Sequence, residues 1–368
     1  MIQNHEQQWL DYCKKELRIL TPLLDKAGYI LDQQQPHLSG ERYLMQAVTT
    51  KSGKKLILLG WRKDDNMKVV IKATREPAGM EELLYERRAR KLLQEIKFAY
   101  ETFLSPKELL FKRTGGYLIS IQQFIPQEST FLSKDTPVQF TLALRAFKAQ
   151  ESAHATTHSH IKRIRSIFGT LDASGYLRNF KKFEEKVRID MPADSVLHAL
   201  LEDALHELDC EQEYIEQYSG FLTHTDFVPH NFRVSHNDIY LLDYSSLRFG
   251  NKYEGWARFL NFMTLYNPAL EEAIVDYVKN NRTPEESMSL RSMRLYRLGE
   301  IISYYTGTLT KSSGNLLLLN RARVEFWTEV LVSQLKNTTI SSTVREKYMA
   351  LRDSLRSTDE VVRQKELH

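Results

Sequence analysis

The run His224-Thr-Asp226-Phe-Val-Pro-His-Asn231, followed after a short apolar stretch by Leu241-Leu-Asp243, constrains this chain more than any other feature. Asp226 and Asn231 stand five residues apart, which suits a tight loop directing both side chains toward one point. The twelve-residue step from Asn231 to Asp243 accommodates a short hairpin: Asn231-Phe-Arg-Val, a Ser-His-Asn-Asp turn, then Ile239-Tyr-Leu-Leu. Such a hairpin returns Asp243 close to Asn231. One Asp for an attacking hydroxyl, and an Asn plus a second Asp for magnesium, is the set that phosphoryl transfer asks of a protein. A surface turn with solvated Asp and Asn side chains is the competing reading of the same residues.

The block resembles the H-x-D-x-x-x-x-N … D signature shared by protein kinases and by the aminoglycoside phosphotransferase and choline kinase-like family. Val228 and His230 stand where protein kinases usually carry a basic residue, and Tyr244-Ser245 stands where they carry Phe-Gly. The wording is therefore more similar to the small-molecule branch. The resemblance implies an α+β, bilobal protein-kinase-like fold with a small β-rich N-lobe and a larger helical C-lobe. It also implies ATP and Mg2+ as cofactors, Asp226 as the catalytic residue, and Asn231 and Asp243 as metal ligands.

A motif of this kind is tested by whether its other parts appear upstream in the right context. Lys68-Val-Val-Ile-Lys72 reads as a short buried strand ending in a lysine. After a Pro77-Ala-Gly79 break, Leu83, Ala89, Leu92 and Leu93 mark a helix over about 80–93. The resemblance implies that Lys72 holds the nucleotide's α- and β-phosphates and that a helix glutamate pairs with it. Glu86 is the first choice and Glu82, one turn earlier, the competitor; an i,i+4 pair with Arg90 is the bland alternative for Glu86. Leu109 through Pro126 reads as a hairpin about Gly115-Gly116. Its second strand is implied to run into the adenine-binding hinge, at Gln122 through Ile125, with Gln123, Phe124 and Ile125 as nucleotide contacts.

Two departures accompany these matches. Where a Gly-rich phosphate loop is expected, the chain has Gln46 to Lys55 with a single glycine. Ser52 and the Gly53 backbone can still cover phosphates, with Lys54 or Lys55 adding charge; a simple β-turn explains Ser-Gly-Lys equally well. Past Asp243, Glu254-Gly255-Trp256 stands where the family often has an Asp that steadies the catalytic loop. Either Glu254 substitutes or the loop is held differently. His154 and His158, in Ala-His-Ala-Thr-Thr-His-Ser-His160, read as structural rather than as zinc ligands, for want of a third ligand. His224 reads as a fastener of the loop, and Ser245 and Ser246 lack the partners of a nucleophile.

Composition limits the partners. The 368 residues are 42% apolar, enough for a substantial core and two domains or lobes. Fifty-one basic against forty-seven acidic residues give a formal charge of +4, too mild and too scattered to imply nucleic acid or an anionic membrane as partner. Two distant cysteines match no metal spacing, and the N-terminus has no signal-peptide pattern, which makes a reducing cytoplasm the expectation. No apolar run approaches membrane-spanning length.

Three regions follow: a helical extension over 1–38, an N-lobe over 39–126, and a C-lobe over 127–368. Trp9, Cys13, Leu17, Leu20 and Leu24 give the extension an amphipathic helix ending near Gly28 that packs on the small lobe. Further helices are expected at 140–154, 176–187, 195–218, 255–266, 270–279, 284–310 and 319–337, then one in the charged tail followed by fraying. The expected activity is transfer of the ATP γ-phosphate to a hydroxyl of a small polar molecule of aminoglycoside, sugar or amino-alcohol type. An acidic helix over 202–212 and the helices after Trp256 are the candidates to shape the acceptor pocket, and an acidic pocket would favour a cation. A protein Ser/Thr kinase and a nucleotide-binding pseudokinase-like module are the alternatives. The sequence sets no oligomeric state.

Overall fold

The computed structural model describes residues 2–38, 40–41, 55–96, 104–152, 162–163, 165–236 and 238–367. Ser52, Gly53, Lys54, His154, His158 and His160 therefore lie outside the described residues. The chain is α+β: a five-stranded antiparallel sheet comes first and a mostly helical region follows. The sheet has the order β1-β2-β3-β5-β4, from β1 (Tyr29–Leu31), β2 (Leu56–Arg62), β3 (Lys68–Thr74), β4 (Glu108–Thr114) and β5 (Tyr117–Gln123). Gly115 and Gly116 both have positive φ and close the β4–β5 hairpin, a conformation other residues adopt only with strain.

Helix α1 (Ile2–Lys26) covers one face of this sheet, as its periodicity requires. Trp9, Cys13, Leu20 and Leu24 pack against Leu58, Val69, Ile71 and Ile119. Burying Glu16 on that face is tolerated because Tyr117 donates to it at 2.6 Å and Arg75 at 2.5 Å. Helix α2 (Pro77–Glu95) corrects one boundary: Pro77-Ala-Gly79 is the first helical turn, not a break before it. Proline fits there because its missing N–H has no intrahelical partner in any case. Met80 and Leu83 of α2 meet Leu118 of the sheet, while Ala89, Leu92 and Leu93 reach the core of the helical region.

That region contains α3 (Thr136–Ser152), α4 (Ala173–Asp190), α5 (Ser195–Cys210), α6 (Gln212–Gln217), α7 (Glu254–Tyr266), α8 (Pro268–Asn281), α9 (Pro284–Leu309), α10 (Gly314–Leu335), α11 (Ser342–Leu355) and α12 (Thr358–Leu367). The single helix expected over 195–218 is thus two, parted at Glu211, whose carboxylate is drawn inward to Ser292 and Arg291. The tail holds a second helix, α12, in place of fraying; Glu360 is buried on it and pairs with Arg363. Between α6 and α7 lie two short antiparallel pairs, β6 (Phe221–His224) with β9 (Leu247–Gly250) and β7 (Phe232–Ser235) with β8 (Asp238–Leu241). Among the described residues no helix is long and apolar enough to cross a membrane.

Candidate active site

The β7–β8 hairpin brings the three polar residues of the motif together. Ser235 pairs with Asp238, so the turn is two residues long and tighter than the four-residue turn read from sequence. His236 takes φ 55°, as a tight hairpin of this hand requires. The Leu242 N–H donates to the Asn231 carbonyl at 2.9 Å, which sets Asp243 beside Asn231. His224 is fully buried and its Nε2 donates to the Asp243 carbonyl at 2.7 Å. Burial holds its pKa down, so the ring is a neutral fastener of the loop.

Asp226 is gripped from two sides. Asn231 Nδ2 donates to Asp226 Oδ2 at 2.7 Å and to the Asp226 carbonyl at 2.9 Å. Arg258 Nε, one turn into α7, donates to Oδ1 at 2.8 Å. Burial pushes the Asp226 pKa up, but Arg258 first, then His230 and Arg297, outweigh it and hold the group well below the usual carboxylate range. Arg258 was not singled out in the sequence. The one available signal was its i,i+4 distance from Glu254 on an otherwise apolar helix, which also fits a solvated arginine.

Asp243 accepts from Ser245 N at 2.9 Å and Ser245 Oγ at 2.6 Å, both on Oδ1. Ser245 thus serves the carboxylate and is no nucleophile. Asp243 Oδ2 and Asn231 Oδ1 take no hydrogen bond among the described residues. They are two hard oxygen donors of the kind magnesium accepts. No cluster of three or more His, Cys, Asp or Glu able to hold a metal occurs among the described residues. A magnesium ion here would complete its shell with phosphate oxygens and water.

Lys72 Nζ lies 2.6 Å from Glu86 Oε1 and 3.0 Å from the Leu242 carbonyl. Glu82 is taken by Lys55 at 2.5 Å, so of the two glutamates Glu86 is the one that meets Lys72. Burial lowers the Lys55 pKa, yet Glu82, Glu86 and Asp243 outweigh it and hold it raised. Lys55 and Lys72 together depress the Asp243 pKa against the effect of its burial. At the end of β5 the Gln123 N–H is bonded to the Lys107 carbonyl at 2.9 Å and the Phe124 N–H to that of Lys68 at 3.2 Å. Of the three hinge residues, only Ile125 has an N–H with no backbone partner among the described residues.

The loop is held differently from the family pattern. Glu254 turns away into Arg248, Arg297 and Tyr176. In its place the N-terminus of α7 sits directly on β6. The Gly255 N–H donates to Thr223 Oγ1 at 3.2 Å, and a Cβ at Gly255 would lie 2.8 Å from the His224 carbonyl. Glycine is what permits that approach.

A cavity of about 520 Å³ opens beside Asp226, walled by α7, α9, α10 and α11. Tyr304, Tyr305 and Trp327 line it, whereas Tyr253 and Trp256 are core residues. The acidic helix does not reach it: Glu202 pairs with Arg188, and Glu207 and Glu211 with Arg291. The carboxylates of that helix therefore offer a cationic acceptor no counter-charge in this cavity.

No family model matches this sequence, and no curated protein does. Solved structures match the fold. One is a thermostable mutant of aminoglycoside phosphotransferase APH(4)-Ia in ternary complex with AMP-PNP and hygromycin B. It is 14% identical, with a TM-score of 0.54 over 80% of this chain and 97% of the other. Another is a macrolide 2'-phosphotransferase type I, 13% identical, with a TM-score of 0.53 over 83% of this chain and 95% of the other. At such identities the likeness establishes the kinase-like fold of the phosphotransferases.

Proposed function

We propose that this chain transfers the γ-phosphate of ATP to a hydroxyl of a small molecule. The observation that carries the reading is the position of Asp226, clamped between Asn231 and Arg258 on the wall of a partly open cavity. Lys72, oriented by Glu86, holds the α- and β-phosphates, and Lys55 adds a second positive charge. Asn231 Oδ1 and Asp243 Oδ2 would hold magnesium, which would neutralise charge on the phosphate oxygens. The Ile125 N–H, which has no backbone partner among the described residues, is the one that would meet the adenine.

Asp226 orients the acceptor hydroxyl in line with the γ-phosphorus. A carboxylate held at so low a pKa is a weak base, which suits a loose transition state in which the hydroxyl proton leaves late. An acceptor reached through a walled cavity favours a small molecule over a protein side chain, and the complete polar set favours an enzyme over a pseudokinase-like module.

The test is magnesium-dependent ADP release over a panel of sugars, amino alcohols, aminoglycosides and hydroxy acids, with Asp243→Asn beside the native chain. Acceptor-stimulated release is expected, and the variant should lose at least about tenfold of the magnesium-dependent gain in ATP affinity. A native protein that binds ATP equally with and without magnesium, and turns over on nothing, would sink the reading.

Acidity gives a second test. Because Arg258 keeps Asp226 ionised, activity should persist as pH falls below the ordinary carboxylate range. Arg258→Met removes that cation, raises the Asp226 pKa and so moves the acid limb of the kcat/KM profile to higher pH. An unmoved limb would assign it to another group.

A further inference from the structure

The cavity that starts at Asp226 ends in arginines. Near Asp226 the charges are internally matched: Arg258 with Asp226, and Arg297 with Glu254 and with Glu300 at 2.5 Å. The far end is different. There Arg323 of α10, Arg352 of α11 and Arg356 just past it line the same cavity around one carboxylate, Glu41. Arg356 Nε donates to Glu41 Oε2 at 2.8 Å, and Arg323 pairs with the other oxygen. Arg352 faces Asp353, a half-exposed neighbour, at 2.8 Å. Without Glu41, three guanidinium groups would share this end with one peripheral carboxylate.

Glu41 belongs to no strand of the sheet; it comes from the connection between β1 and β2. Buried guanidinium groups need an anion, and a planar fork accepts a carboxylate or a phosphate equally well. Burial, with Arg356 and Arg352 nearby, pushes the Arg323 pKa down to about 10 against the opposing pull of Tyr348. Tyr266, Tyr305 and Tyr348 line the same cavity; Arg352 donates to the Tyr266 hydroxyl and Arg323 stacks over the Tyr305 ring. Resting on the function proposed above, we infer that the acceptor is a hydroxylated anion. Its carboxylate or phosphate docks on Arg323 and Arg356, its hydroxyl reaches Asp226, and Glu41 is the internal carboxylate that it displaces. In the transfer the acceptor oxygen bonds to the γ-phosphorus as the bond to the β–γ bridging oxygen breaks. ADP leaves with that electron pair, and the hydroxyl proton passes to Asp226.

Two readouts on the full chain keep the outcomes apart. Anion binding, followed as the rise in Tm with inorganic phosphate or with acetate, needs no turnover. Glu41→Gln should bind one of these anions at least about fivefold more tightly than the native chain, and E41Q/R356Q should lose the gain. Whichever anion gains more tells carboxylate from phosphate. In the second readout, ADP release is measured with gluconate and glycerol 3-phosphate against sorbitol and an aminoglycoside. The anionic acceptors should be preferred, and Arg356→Gln should raise their KM about 10- to 100-fold while kcat stays within a few fold. No gain of anion binding in Glu41→Gln overturns the subsite and leaves Glu41 as a latch between β1–β2 and the C-terminal helices. Equal turnover of sorbitol, indifferent to Arg356→Gln, also overturns it while phosphotransfer stands. Tighter anion binding in Glu41→Gln without ADP release on any acceptor overturns the acceptor role and the phosphotransfer reading together.

Discussion

Asp226→Asn is expected to lower acceptor-stimulated kcat by about 10²- to 10⁴-fold while ATP affinity stays within a few fold. The carboxylate meets a donor on each oxygen, Asn231 Nδ2 at 2.7 Å and Arg258 Nε at 2.8 Å. An asparagine keeps one acceptor oxygen and replaces the other by an NH2. Whichever way it flips, that NH2 faces a donor, so the side chain must swing off the line to the acceptor hydroxyl. The charge that orients the hydroxyl is lost at the same time. Lys72, Glu86 and Asp243 do not touch Asp226, so nucleotide binding provides the control for folding. A variant that keeps more than a tenth of native kcat would remove Asp226 from the chemistry.

What the sequence made legible was local. The β3 strand announces itself by β-branched residues, the β4–β5 hairpin by Gly115-Gly116, and the β7–β8 hairpin by a turn between two apolar runs. These signals span about ten residues at most, which is the range over which backbone preference acts. The pairing of Asp226 with Arg258 spans 32 residues and depends on how α7 docks against β6. No periodicity encodes it. The choice between Glu82 and Glu86 was likewise settled by a third residue, Lys55, which lies outside any helix pattern. The arginine end of the cavity draws on α10, α11 and the β1–β2 connection at once. In sequence, each of those arginines reads as an ordinary solvated charge. The misplaced helix boundaries have the same origin: Glu211 breaks a helix because its carboxylate is pulled toward Ser292 and Arg291 by tertiary packing.

Glu254→Ala is expected to destabilise the protein by about 3–5 kcal/mol, more than loss of an exposed ion pair, because it breaks a buried charge network. Glu254 is 0% exposed and opens α7. Its oxygens receive Arg248 Nε at 3.0 Å, Arg297 Nη1 at 3.3 Å and the Tyr176 hydroxyl at 2.7 Å. Burial alone would lower the Arg248 pKa, yet Glu254, with Tyr176 beside it, holds it raised. Alanine leaves Arg297 buried with Glu300 as its direct partner and Asp226 as a more distant counter-charge, and leaves the Tyr176 hydroxyl without its acceptor. A fall in Tm on the order of 5 °C or more should follow. Glu254→Gln keeps the shape and one acceptor, so it should fall less; the difference between the two separates charge from packing. A Tm for Glu254→Ala within about 1 °C of native would mean that water enters to solvate the arginines. It would also show that the seat of α7 on the β6 strand rests on the Gly255–Thr223 contact rather than on this carboxylate.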